Sequence, residues 1–230
     1  MADPMSFTTG GVLVPVQIFR PAATNGARAG AIIIAYGSDG LLDTASGPWK
    51  TMIEGYATDL AAKGFVALIP DYFARTGTKP PINIFSPAGV DAIRNDRDSW
   101  QATLADAVAL AKGLIGVDRS RIGLLGFSLG GHLCLRLRAI PKVLVEYFAP
   151  ELDGIGVSGP LALKVLIHHG EKDDFDSPVP IEAELRANGA IVRRTDHKNA
   201  GHGFGGANPG DGAAAAASKV ETLDFFEKNL

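Results

Sequence analysis

Ala31-Ile32-Ile33-Ile34-Ala35-Tyr36 is an uninterrupted apolar run of six residues. A run this short, with no polar alternation, suits a strand buried on both faces, as inside a parallel sheet. Phe65-Val66-Ala67-Leu68-Ile69 repeats the pattern and ends at Pro70-Asp71. Between the two, Trp49 to Lys63 sets Met52, Ile53, Tyr56 and Leu60 at helical spacing, and Gly64 supplies a stop. Further strands are expected at Arg121 to Leu125, Lys142 to Phe148, Leu163 to His168 and Ile191 to Thr195. Further helices are expected at Asp98 to Ile115, Leu129 to Ala139, Pro180 to Asn188 and Asp211 to Leu230. Val12 to Phe19 is rich in β-branched residues but contains Pro15, which suits an edge strand. Strand and helix alternate along the whole chain. That order implies βαβ crossovers: an α/β fold with a mostly parallel central sheet and helices on both faces.

Two stretches carry no period. Ala74 to Asn95 holds three prolines, and Gly201 to Gly212 holds six glycines in twelve positions. Segments of this kind are surface connections or parts of a site. No linker or internal repeat divides the chain, and 230 residues suffice for one sizeable core. A single domain spanning residues 1–230 is expected.

Charge narrows the function. Twenty-two basic residues against 25 acidic ones leave a net charge of −3, which offers no field for nucleic acid or an anionic membrane. The single cysteine, Cys134, allows neither an internal disulfide nor a multi-cysteine zinc site. The opening Met1-Ala2-Asp3-Pro4-Met5 has no basic or apolar segment of a signal peptide. No apolar run approaches the ~18 residues of a membrane span. A soluble, cytoplasmic protein is expected, as a monomer or homodimer, without metal or cofactor.

Gly126-Phe127-Ser128-Leu129-Gly130-Gly131 joins an expected strand to an expected helix. This is G-x-S-x-G in the context that exposes a serine on a sharp turn at the carboxyl edge of a sheet. The plainer alternative is a tight turn with Ser128 as a helix N-cap. A serine nucleophile needs a base, and the base needs an orienting acid. Of five histidines, His202 in Gly201-His202-Gly203-Phe204 follows the last strand, at the same sheet edge as Ser128. His168 and His169 close a strand and suit packing or a pocket wall, His197 suits a solvated turn, and His132 suits the helix core. Asp173, in the loop after the strand Leu163 to His168, is the candidate acid, with Asp174 and Asp176 close enough to be confused with it. The order Ser128, Asp173, His202 is that of α/β-hydrolases. An acyl-transfer site also needs oxyanion donors. The Leu129 N–H is one, and Gly37 or Ser38, after the Ala31 to Tyr36 strand, is the other.

The sequence resembles the dienelactone hydrolase family of α/β-hydrolases over nearly its whole length. The resemblance rests on Ile33-Ile34-Ala35-Tyr36-Gly37, Pro70-Asp71-Tyr72-Phe73-Ala74-Arg75, Gly126 to Gly131, His169-Gly170-Glu171-Lys172-Asp173 and Gly201-His202-Gly203-Phe204. It implies a compact α/β-hydrolase fold without a cap domain and a triad at Ser128, Asp173 and His202. Two departures stand out. Family members that open dienelactones carry a cysteine nucleophile and a glutamate near it, where this chain has Ser128 and Gly37. They hold the substrate carboxylate with arginines, one shortly after the histidine, where this chain reads Gly203-Phe204-Gly205-Gly206. The expected activity is therefore hydrolysis of carboxylic esters or lactones on Ser128. Dienelactone hydrolase proper, an acyltransferase and a non-catalytic small-ligand binder are the alternatives. Tyr36, Tyr72, Arg75 and Phe204 are expected to line the pocket, with residues 74–95 as partial cover.

Overall fold

The computed structural model describes residues 3–22, 26–44, 47–84, 86–138, 140–152, 156, 162–175, 177–204 and 211–230. Its centre is the strand Ala29–Ala35 (β3), buried at every position, as the unbroken apolar run requires. Around it lie β1 (Asp3–Thr9), β2 (Val12–Phe19), β6 (Val66–Pro70), β7 (Val117–Phe127), β8 (Val143–Tyr147), β9 (Lys164–Gly170) and β10 (Ile191–His197). The eight-stranded sheet has the order β1-β2-β6-β3-β7-β8-β9-β10. Pairings from β6 to β10 are parallel, and β1–β2 and β2–β6 are antiparallel. Two short strands, β4 (Asp43–Thr44) and β5 (Gly47–Pro48), pair separately.

Helix α1 (Trp49–Ala62) packs on β6 and α5 (Gly212–Asn229) on β8 and β9, and the two helices touch on one face. Lys219 of α5 meets Asp59 of α1 at 2.5 Å. On the other face α2 (Pro87–Gly113) and α3 (Leu129–Arg136) pack together, and Arg138 after α3 reaches Glu184 of α4 (Pro178–Ala187) at 2.8 Å. The α/β-hydrolase architecture is thus realised, and no cap domain interrupts the described residues.

Three expectations change. Val12–Phe19 is not the edge; the N-terminal strand β1 covers it. Pro15 is tolerated because its carbonyl accepts the Asp71 N–H at 2.9 Å, which turns its ring nitrogen toward β6 just beyond the last paired rung, Val16–Pro70. Helix α2 begins eleven residues before the expected Asp98, so the irregular stretch from Ala74 ends at Ser86. Ser86 is an N-cap whose hydroxyl accepts the Gly89 N–H at 3.1 Å, with Pro87 in the first turn. His197 ends β10 as a buried residue rather than a solvated turn.

Candidate active site

Strand β7 feeds directly into α3 through Ser128, whose backbone has φ +49° and ψ −119°. A non-glycine residue there is strained by about 1–3 kcal/mol and persists because its surroundings hold it. Glycine is obligatory on both sides. A Cβ on Gly126 would lie 2.5 Å from the Gly130 carbonyl oxygen, and one on Gly130 would lie 2.2 Å from that of Ala35. The Ser128 N–H donates to Tyr147 of β8 at 2.9 Å, and its carbonyl accepts from His132 at 3.1 Å. The turn is therefore tied to the sheet behind it and the helix ahead.

The loop after β9 turns back through the Asp173 N–H, which donates to the Gly170 carbonyl at 2.9 Å. This buries the Asp173 carboxylate. Its Oδ1 accepts the Phe175 N–H at 3.1 Å, and its Oδ2 accepts from His202 Nδ1 at 2.9 Å. A carboxylate oxygen only accepts, so the hydrogen sits on Nδ1 and leaves Nε2 as an acceptor. His202 Nε2 stands 3.1 Å from Ser128 Oγ. Phe148, at φ +40°, and Phe175 flank the imidazole with ring centroids 5.0 and 5.1 Å away. Asp174 is exposed, and Asp176 lies outside the described residues.

A cavity of about 230 Å³ opens over Ser128. The Tyr36–Gly40 segment walls it on one side, and Gly37 stands so close to the serine that an added Cβ would come within 3.4 Å of Ser128 Cβ. Ser38 also lines it, so both residues of the candidate second donor border the cavity together with Ser128. The remaining wall is mostly apolar: Trp49, Met52 and Ile53 of α1, Ile82 and Ile84 from the segment before α2, and Phe148, with Asn83 as a neutral polar side chain among them.

Of the four expected pocket residues, Tyr36 is present. Tyr72, Arg75 and Phe204 do not line the cavity. Tyr72 is fully buried, stacked on Tyr36 at 4.3 Å, with its hydroxyl donating to the Tyr36 carbonyl at 2.7 Å. It braces the wall from behind. Arg75 turns toward the N-terminal hairpin and donates to Thr9 Oγ1 at 2.9 Å. Phe204 packs beneath the His202 loop between Phe148 and His197, at 5.4 and 4.8 Å. The α1 residues went unread as pocket wall because their helical spacing marks only a buried face.

His168 lies deeper. Its Nδ1 shares a hydrogen bond with His197 Nε2 at 2.9 Å, and its Nε2 meets Thr222 Oγ1 at 3.0 Å. Thr222 meets the Tyr147 hydroxyl at 2.7 Å. His168 is therefore a member of a buried polar chain, not a pocket wall. Burial above all holds its pKa well below the usual histidine value, and it lowers those of His169 and His197 as well. His132 is buried within α3, as its position implied. Among the described residues, no three His, Cys, Asp or Glu side chains converge as metal ligands, and no helix is long and apolar enough to cross a membrane.

A sheet of this order with a serine at the β7–α3 turn, facing a histidine from the last loop, defines an α/β-hydrolase fold. Solved structures agree. A dienelactone hydrolase-like promiscuous phosphotriesterase from metagenomic libraries aligns with all of this chain and 98% of its own, at 22% identity and TM-score 0.78. Esterase 2 of Thermogutta terrifontis, phosphorylated by paraoxon, aligns over 98% of this chain and 92% of its own, at 18% identity and TM-score 0.69. A hyperthermophilic esterase from the archaeon Pyrobaculum calidifontis aligns over 99% and 85%, at 14% identity and TM-score 0.74. These identities show a shared fold. No curated protein sequence matches the chain. The chain belongs to the dienelactone hydrolase family, whose sequence profile matches residues 19–230.

Proposed function

We propose that this protein is a serine hydrolase of carboxylic esters or lactones that works through an acyl-enzyme on Ser128. The observation that carries the reading is the pair of hydrogen bonds from Ser128 Oγ to His202 Nε2 and from His202 Nδ1 to Asp173, at 3.1 and 2.9 Å. Ser128 Oγ attacks the substrate carbonyl while His202 Nε2 takes its proton. The Leu129 N–H and a second N–H from Gly37 or Ser38 hold the oxyanion, a contribution worth roughly 3–4 kcal/mol per donor. His202 then protonates the departing alcohol. Water, deprotonated by the same nitrogen, releases the acid. Asp173 keeps the proton on Nδ1 throughout and stabilises the imidazolium that forms transiently.

Covalent trapping tests this directly. A fluorophosphonate should label the protein once, on Ser128, and the protein should turn over p-nitrophenyl acetate. Labelling that persists in Ser128→Ala would remove the serine from the role.

A further inference from the structure

The wall of the cavity over Ser128 contains no lysine or arginine. All 22 lysines and arginines of the chain fall within the described residues, so no cation of this chain is left to complete that wall. Besides His202 and the phenol of Tyr36, its one ionisable side chain is acidic: Asp39, half-buried in the segment that also presents Gly37 and Ser38. Trp49, Met52, Ile84 and Phe148 make up most of the remaining surface and cannot solvate an ion, and the other polar side chains, Ser38 and Asn83, are neutral. Lys79 and Arg94 line separate surface depressions. These share only a wall residue with the cavity, Tyr36 for the first and Ile84 for the second. Arg94 stands 4.0 Å from Asp91, and its depression also presents Glu151.

We infer that the site selects uncharged substrates: esters or lactones whose acyl part is a short chain or a single ring, with carboxylate-bearing analogues rejected. The inference rests on the ester-hydrolase reading above and names its substrate class. Size follows from the volume. About 230 Å³ lies below the ~300–1,000 Å³ of sites that enclose drug-sized ligands. Charge follows from the wall. A carboxylate entering this space sheds water against a mostly apolar surface and finds no lysine or arginine on the wall to pair with. An uncharged ester of the same shape incurs neither cost.

The test compares two aryl esters with one leaving group: mono-p-nitrophenyl glutarate, which carries a free carboxylate, and its methyl ester, which is neutral. After division by their hydroxide-catalysed rates, kcat/KM should favour the neutral ester by roughly 100-fold. Ile84→Arg, at a half-buried position on the wall, should narrow that ratio at least about tenfold by pairing with the anion. Equal kcat/KM for the two esters, or a preference for the anionic one, overturns the inference while leaving the esterase reading standing. A ratio unmoved in a folded Ile84→Arg variant also overturns it, because the discrimination would not arise from the charge of the wall. No turnover of either ester by folded protein overturns the esterase reading and this inference together.

Discussion

His168 and His197 face each other from neighbouring strands, Nδ1 to Nε2 at 2.9 Å, with one hydrogen between them. Only one of the facing nitrogens can carry that hydrogen, so protonating both rings replaces a hydrogen bond with two opposed donors. Burial lowers both pKa values. For His168, the neighbouring His197 and Arg193 add to it; for His197, Glu221 and Asp196 act in the opposite direction. The pair is neutral in the native state, whereas the unfolded chain takes up protons near pH 6.5. Stability is therefore intact above that value and lost as pH falls below it toward the depressed native pKa values. Between pH 7.5 and 5.5, where carboxylates stay ionised, urea denaturation should show stability falling as the pH is lowered. His197→Gln should flatten that slope. An unchanged slope would assign the pH dependence elsewhere.

Ser128→Ala removes the attacking oxygen and leaves the backbone turn in place. Esterase kcat should fall by about 10⁴-fold or more, with the urea midpoint nearly unchanged. Near wild-type turnover would place the chemistry elsewhere.

Asp173 and Asp174 are adjacent, yet only Asp173 is buried against His202 Nδ1. Asp173→Asn should reduce kcat by roughly 10³–10⁴-fold, because an amide no longer favours the productive tautomer. Asp174→Asn should change it little. Steady-state kinetics on the two variants decides the register, and a greater loss in Asp174→Asn would shift it by one.

Gly130→Ala adds one methyl group where the Ala35 and Tyr36 carbonyl oxygens lie 2.2 and 2.3 Å from its ideal position. Relief requires α3 to back away from β3, which moves the Leu129 N–H off the nucleophile. The expected cost is about 2–3 kcal/mol of stability, with loss of esterase activity in the fraction that folds. Chemical denaturation alongside active-site titration measures both. Full tolerance would mean that the turn is looser than this packing implies.

Much of the fold was legible because its signals are local. The unbroken run at Ala31 to Tyr36 can only be satisfied by burial on both faces, and strand–helix alternation then fixes a parallel sheet. G-x-S-x-G is legible because the motif is contiguous in the chain, although its second glycine is required by the distant Ala35 and Tyr36 carbonyls. Chain order pointed to Asp173 and His202, since loops after parallel strands gather at one edge. Side-chain direction is another matter. Tyr72 points inward and Arg75 toward β1, because the Tyr36 carbonyl and Thr9 Oγ1 are there to receive them. His197 looked solvated beside Asp196 and Lys198, yet strand pairing with β9 set it against His168. Trp49, Met52 and Ile84 became a pocket wall only when α1 and the segment before α2 met above Ser128. Sequence patterns determine which residues must be buried and which turns are possible. What each side chain faces depends on partners dozens of residues away, and only their packing in three dimensions decided it.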